Sequence, residues 1–269
     1  MGGKESAALP GGGRRGTRKV PSLTPLANAP GLASAIWPNE SRLRHNAVSL
    51  ERLIPIHDVM RSASIVLLYL LSLGVAAYGL VGYAVLPMGT LVHPDMKAEF
   101  IAHPLAMFVH VFAAAVALLL GPFQFSTRLR RTRTQLHRWM GRAYLGIGVL
   151  AGGLSGLYIA QFAFGGAIAK LGFAMLAVGW LYTGWRALRA ILRREFEAHR
   201  QWMLRNFSLA FAAVTLRLYL LAAVLAAVEF AVAYPIIAWL CWVPNLLFAQ
   251  WRCNTTPAPS PPTAAGGSR

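Results

Sequence analysis

Acidic residues are scarce in this chain. Nine Asp and Glu stand against 26 Lys and Arg among 269 residues, and the formal net charge is +17. Cysteine is scarcer still. Cys241 lies inside an apolar stretch and Cys253 just beyond it, so neither a disulfide framework nor a cysteine metal site can be built from them. Motifs that announce soluble catalysis are also missing: there is no nucleophile elbow, no phosphate-binding glycine loop, no HExxH and no carboxylate pair within an apolar stretch. No catalytic residue can be named, and a membrane oxidoreductase is the one enzyme class left open. The positive charge does not point to nucleic acid. It sits in the N-terminal segment and in two connections beside apolar stretches, where it serves topology and contact with anionic lipid headgroups.

What is present is apolar. Hydrophobic residues make up 56% of the chain and charged residues 13%, the latter about half the ~25% of soluble domains. Six stretches approach the ~20 apolar residues that a helix needs to cross a bilayer. They run from about 62 to 86, 104 to 125, 140 to 162, 168 to 188, 204 to 227 and 234 to 251. The expectation is an all-α, polytopic transmembrane helix bundle of six spans over residues 62–251. Residues 1–61, basic and rich in Gly, Pro, Ser and Ala, read as disordered, with 50–61 an interfacial lead-in. The Pro- and Thr-rich tail 252–269 reads the same way.

Residues 121–144, GPFQFSTRLRRTRTQLHRWMGRAY, organise the rest. Arg128, Arg130, Arg131, Arg133, Arg138 and Arg142 fall here without one carboxylate. The connection 189–203 carries Arg189, Arg193, Arg194 and Arg200, and the first 61 residues add nine Lys or Arg. On the other side, 87–103 holds Lys97 alone, 163–167 holds no cation and 228–233 holds only Glu229. The positive-inside rule is satisfied at every connection by six spans with both termini cytoplasmic, and the expected location is the plasma (inner) membrane.

Apolar burial cannot drive helix association in lipid, so small residues and hydrogen bonds must. Gly148, Gly152 and Gly156, four apart, give the third stretch a narrow flat face. It reads as a helix-packing face; the alternative is a seat for a planar cofactor such as haem. Homo-oligomer formation is left open. A second pattern is an internal echo. His137-Arg138-Trp139-Met140-Gly141-Arg142 opens the third stretch, and His199-Arg200-Gln201-Trp202-Met203-Leu204-Arg205 opens the fifth. With one inserted residue, both read His-Arg, Trp-Met, one residue, Arg, as in a duplicated two-helix unit. Lipid phosphate and the interfacial aromatic belt explain Arg and Trp, but not His twice.

GPFQF at 121–125, HRWMGRAY at 137–144, Ser155–Tyr158, HRQWMLRN at 199–206 and Thr215–Tyr219 together resemble a family of multi-pass membrane proteins, the domain of unknown function 2306. The resemblance covers about 105–220. It implies an integral membrane protein and adds no chemistry.

Two residues stand out as anomalies. His110 lies about 10 Å below the outer surface of the second span at 1.5 Å per residue, and an ionisable group at such depth is a functional-site hypothesis. Arg217 falls near the middle of the fifth span, where a guanidinium is expensive. No Asp or Glu lies within a span to offset it, so its counter-charge must be a bound anion, a lipid phosphate, a haem propionate, or Glu229 if the helix ends early. Backbone carbonyls with Gln124 or Gln161 are the ligand-free alternative. The candidate ligand-binding set is Arg217, His110, Gln124 and Tyr158. His137 and His199, at one depth, are the candidate axial ligands of a haem b; at the outer side His110 would need His93 or His103. Two functions follow: binding of a small anionic molecule or lipid for transport, sensing or assembly, or haem-b electron transfer of the cytochrome b561 type.

Overall fold

The structure is a computed structural model that describes residues 56–87 and 89–255. Among these, every regular element is helical. The disorder expected of residues 1–61 and of the tail 252–269 falls on residues outside the described ones except at 56–61 and 252–255, which are helical. Six helical stretches are long and apolar enough to cross a membrane: Ser62–Val85, Pro104–Gln124, Thr134–Ala160, Gly166–Leu192, Phe196–Leu225 and Phe230–Thr255.

The first span belongs to α1 (Ile56–Val85), and Pro87 stands just beyond its end. A short helix α2 (Pro94–Ala102) follows, with the His93 ring accepting from the Asp95 amide, and leads to α3 (Pro104–Gln124). Both start on proline, whose missing N–H is no loss in a first turn. Ser126 caps α4 (Thr127–Thr132), its hydroxyl accepting from the Leu129 amide at 3.2 Å. The third span combines α5 (Thr134–Ala143), a π-helical stretch Tyr144–Ala151 and α6 (Gly152–Ala160). The fourth is α7 (Gly166–Leu192), entered through Gly165 at φ 89°, a left-handed conformation that glycine adopts without strain. The fifth is α8 (Phe196–Ala210) and α9 (Ala212–Leu225), and the sixth α10 (Phe230–Leu240) and α11 (Val243–Thr255).

Most of each basic stretch is helix, with Arg133, Arg193 and Arg194 in the short breaks between helices. The third and fifth spans start at Thr134 and Phe196 rather than about 140 and 204. Hydropathy marks only the apolar part of a helix, whereas arginine and glutamine are good helix formers and carry the first turns beyond it.

Third and second spans meet along the glycine stripe. A Cβ on Gly148 would stand 3.0 Å from the Ala117 methyl, one on Gly152 3.0 Å from the Trp180 ring, and one on Gly156 3.0 Å from the His110 ring. The face is filled by protein and does not fit a haem. α7 packs on α6, α8 and α10, and α8 on α11. On the second span's other side, Ala76 of α1 is buried with Ala115, Leu118 and Val214, while the Tyr69 hydroxyl donates to the Pro122 carbonyl at 3.0 Å. Large apolar side chains point outward. Leu105 is 77% and Leu225 79% exposed, as befits a bundle whose solvent is hydrocarbon.

Candidate functional site

The polar interior has an arginine-rich end, carried by α4, α5, the end of α7 and the start of α8, and an arginine-poor end. Nearest the first is a buried clamp. The Tyr144 hydroxyl donates to Asn206 Oδ1 at 2.8 Å; Asn206 Nδ2 donates to the Trp180 carbonyl at 2.7 Å and to Thr183 Oγ1 at 2.9 Å. Thr183 in turn donates to the Gly179 carbonyl at 2.8 Å. Tyr144 and Asn206 have no exposed surface. Both amide N–H groups of Asn206 are used and the clamp joins three spans, while Trp180 Nε1 is buried without a hydrogen-bond partner among the described residues. Tyr144 and Asn206 lie just beyond the two echoed motifs, at the ends of the runs 137–144 and 199–206 that carry the family resemblance, and were not singled out in sequence; Thr183 carried no signal there.

Toward the arginine-rich end two more buried groups lack partners. Gln124 packs against Gly141, and its Nε2 is buried with no hydrogen-bond partner among the described residues; His137 Nδ1 shares that state. His199 Nδ1 lies 2.9 Å from the Ala187 carbonyl, which only accepts, so this nitrogen carries the proton and Nε2 is the free one. His137 and His199 lie within electrostatic range of each other.

The echo has a physical content. Arg142 sits over the Trp139 ring, 5.1 Å from its centre, and Arg205 over Trp202 at 4.7 Å. Each is an i, i+3 cation–π pair on a helix surface.

Toward the arginine-poor end lie the two anomalies. His110 Nδ1 donates to the Gly152 carbonyl at 2.9 Å, its ring against Gly156. Arg217 donates from one Nη to the Ala213 carbonyl at 2.7 Å, with its guanidinium carbon 5.6 Å from the Tyr78 ring centre. Tyr78, Tyr83 and His110 are within its electrostatic range. Among the described residues no carboxylate pairs with Arg217. Glu229 is exposed at the start of α10, and Gln161 caps α6 from the surface.

The four ligand-binding candidates are therefore spread over the bundle. Arg217 and His110 are close, Gln124 lies at the arginine-rich end, and Tyr158 is bonded to His103 at 3.2 Å at the other. His103 also stacks on Phe162, and His93 on Phe230, each 3.8 Å between ring centres, so neither joins His110. Sequence reasoning missed Tyr78 and Tyr83. No three His, Cys, Asp or Glu among the described residues are placed to hold a metal ion.

A family model described as Predicted membrane protein (DUF2306) matches residues 107–252, more than half the chain. The chain belongs to that family. No curated protein and no solved structure matches it. In this DUF2306 protein the matched region contains His110, both echoed motifs, the clamp and Arg217. It leaves out the first span, and with it Tyr78 and Tyr83.

Proposed function

We propose that this six-helix membrane protein binds a small anionic molecule or lipid within its helix bundle, with Arg217 as the anion contact, in a transport, sensing or assembly role. One observation carries the reading: a guanidinium about 12 Å inside the end of α9 at 1.5 Å per residue, held by one backbone carbonyl and a tyrosine ring and by no described carboxylate. The His110 and Tyr78 rings stand beside it. The arrangement of the basic ends supports cytoplasmic termini in a plasma membrane, with the Arg217 cluster in the outer half.

The test compares wild type with Arg217→Gln, purified identically from one membrane and analysed for bound anions by mass spectrometry. The reading expects an anionic species present in wild type and lost in the variant. A variant that keeps the same species at the same occupancy overturns it.

A second reading, haem-b electron transfer, is favoured by one arrangement: two imidazoles within range at one end, with His199 held through Nδ1 by the Ala187 carbonyl so that Nε2 keeps its lone pair. Metal-ligating histidines are oriented in this way. His137 and His199 would hold the iron. An optical spectrum of protein purified with haem supplied decides it. A Soret band lost in His137→Ala and His199→Ala supports the reading, and no absorbance beyond the aromatic band removes it.

A further inference from the structure

The two echoed tryptophans differ in one respect. Trp139 carries Arg142 alone among the described residues, whereas Trp202 carries two guanidinium groups. Arg205, from its own helix, lies 4.7 Å from the ring centre, and Arg186, from α7, lies 4.4 Å from it. The cationic carbons can be no further apart than those two distances laid end to end, about 9 Å, close to the screening length of physiological salt. Arg186 donates to the Tyr182 hydroxyl at 2.7 Å, and Arg205 donates from Nε to Gln250 Oε1 at 2.8 Å. Both acceptors are neutral. The one acid on α8 near them, Glu197, is paired with Arg200 at 3.0 Å. Two like charges thus share one ring with no described carboxylate between them, and each guanidinium has five N–H donors.

Their depth fits a headgroup. The fifth span has 30 residues, about 45 Å of helix against a hydrocarbon core of about 30 Å. Its other end stays apolar to Val224 and Leu225, so the excess length emerges at the arginine-rich end. Arg205 lies about 14 Å from the start of α8, where that excess meets the hydrocarbon boundary. Trp185 with Arg189 over it at 4.9 Å extends the same surface.

We infer that Arg186 and Arg205, held on Trp202, form a binding site for the phosphate of an anionic phospholipid in the leaflet at the arginine-rich end. The one indole and the neutral acceptors hold both guanidinium groups in place, their remaining N–H donors serve the phosphate, and the lipid chains run down the exposed surface of α7 and α8. This site is separate from the Arg217 cluster, which lies toward the opposite end.

The test measures binding of phosphatidylglycerol, against phosphatidylcholine, to the full chain in nanodiscs by native mass spectrometry. It is done in an Arg217→Gln background, so that the two sites are not confused. Arg186→Gln/Arg205→Gln is compared with Arg138→Gln/Arg142→Gln, which removes the same charge from the other motif. The expected result is a loss of phosphatidylglycerol affinity at least about tenfold larger in the first pair, because charge-assisted donors are lost as well as charge. Equal losses in the two pairs reduce the effect to surface charge and overturn the site. Circular dichroism checks folding, and wild type supplies an independent arm: its thermal unfolding should rise with phosphatidylglycerol and not with inorganic phosphate. Protection by inorganic phosphate alone overturns the lipid as occupant.

Discussion

Tyr144, two residues beyond the first echoed motif, and Asn206, one residue beyond the second, are bonded to each other at 2.8 Å. The helices that the two motifs open therefore meet in the interior of the bundle, where the π-helical stretch of the third span begins. A π-turn inserts a residue and turns side chains that a regular helix would point elsewhere. Removing the Tyr144 hydroxyl leaves Asn206 with one accepting atom unpaired in a dry interior. Interhelical hydrogen bonds in membranes are worth about 0.6 kcal/mol on average and up to about 1.7. Tyr144→Phe is expected to lower stability by about 1 kcal/mol in unfolding from mixed micelles. Asn206→Leu, which orphans the Tyr144 hydroxyl and takes a donor from both the Trp180 carbonyl and Thr183, is expected to cost more. A smaller loss for Asn206→Leu than for Tyr144→Phe would contradict the clamp.

Glycines two residues apart in the π-helical stretch should behave differently. A Cβ on Gly148 meets Ala117 at 3.0 Å and its backbone nitrogen at 3.3 Å, while one on Gly146 meets nothing within 4 Å. Gly148→Val is expected to destabilise the bundle by about 1–3 kcal/mol through overpacking of the second and third spans. Gly146→Val should fall within about 0.5 kcal/mol of wild type. Unfolding of both variants in one detergent checks the contrast, and equal losses would mean the stripe does not set the approach of α3.

The parts of this structure legible in sequence were those written along one helix. Six spans were read from apolar length. The glycine stripe was read from a spacing of four, and the echo showed its Trp and Arg residues without showing that each Arg lies over its Trp. What escaped depends on a second helix. Nothing in the run around Thr183 says that its hydroxyl will meet Asn206, and nothing near Arg186 says that it will reach Trp202. Tyr78 and Tyr83 look like belt residues until Arg217 is placed beside them. The starts of the third and fifth spans were misplaced by several residues because Arg-rich first turns read as connection. The charge of Arg217 was legible; the single carbonyl and aromatic ring that hold it were not.

The orientation of the bundle is a prediction of the charge asymmetry. Arg131 is exposed on α4 and Lys97 exposed on α2, at opposite ends of the spans. With Cys241 and Cys253 replaced by alanine, Lys97→Cys should react with a membrane-impermeant maleimide added to intact cells. Arg131→Cys should react only after the membrane is opened. The reverse pattern would place the arginine-rich end outside and remove the positive-inside argument for cytoplasmic termini.

Tyr78 tests how far the protein itself solvates Arg217. The ring is 5.6 Å from the guanidinium carbon and donates its hydroxyl to the Leu91 carbonyl at 3.5 Å, so it tethers the buried charge to the segment after α1. Cation–π pairs are worth about 0.5–1 kcal/mol when exposed and about 2 when desolvated. Tyr78→Leu removes the ring and keeps an apolar side chain, so a loss of up to about 2 kcal/mol is expected in wild type. In an Arg217→Leu background the same substitution should cost much less, because there is no charge left to stabilise. A double-mutant cycle in mixed micelles measures the difference directly. A coupling near zero would mean that Tyr78 is only a belt residue. It would leave the carbonyl of Ala213 as the single described group holding Arg217, and so strengthen the case that an anion completes its shell.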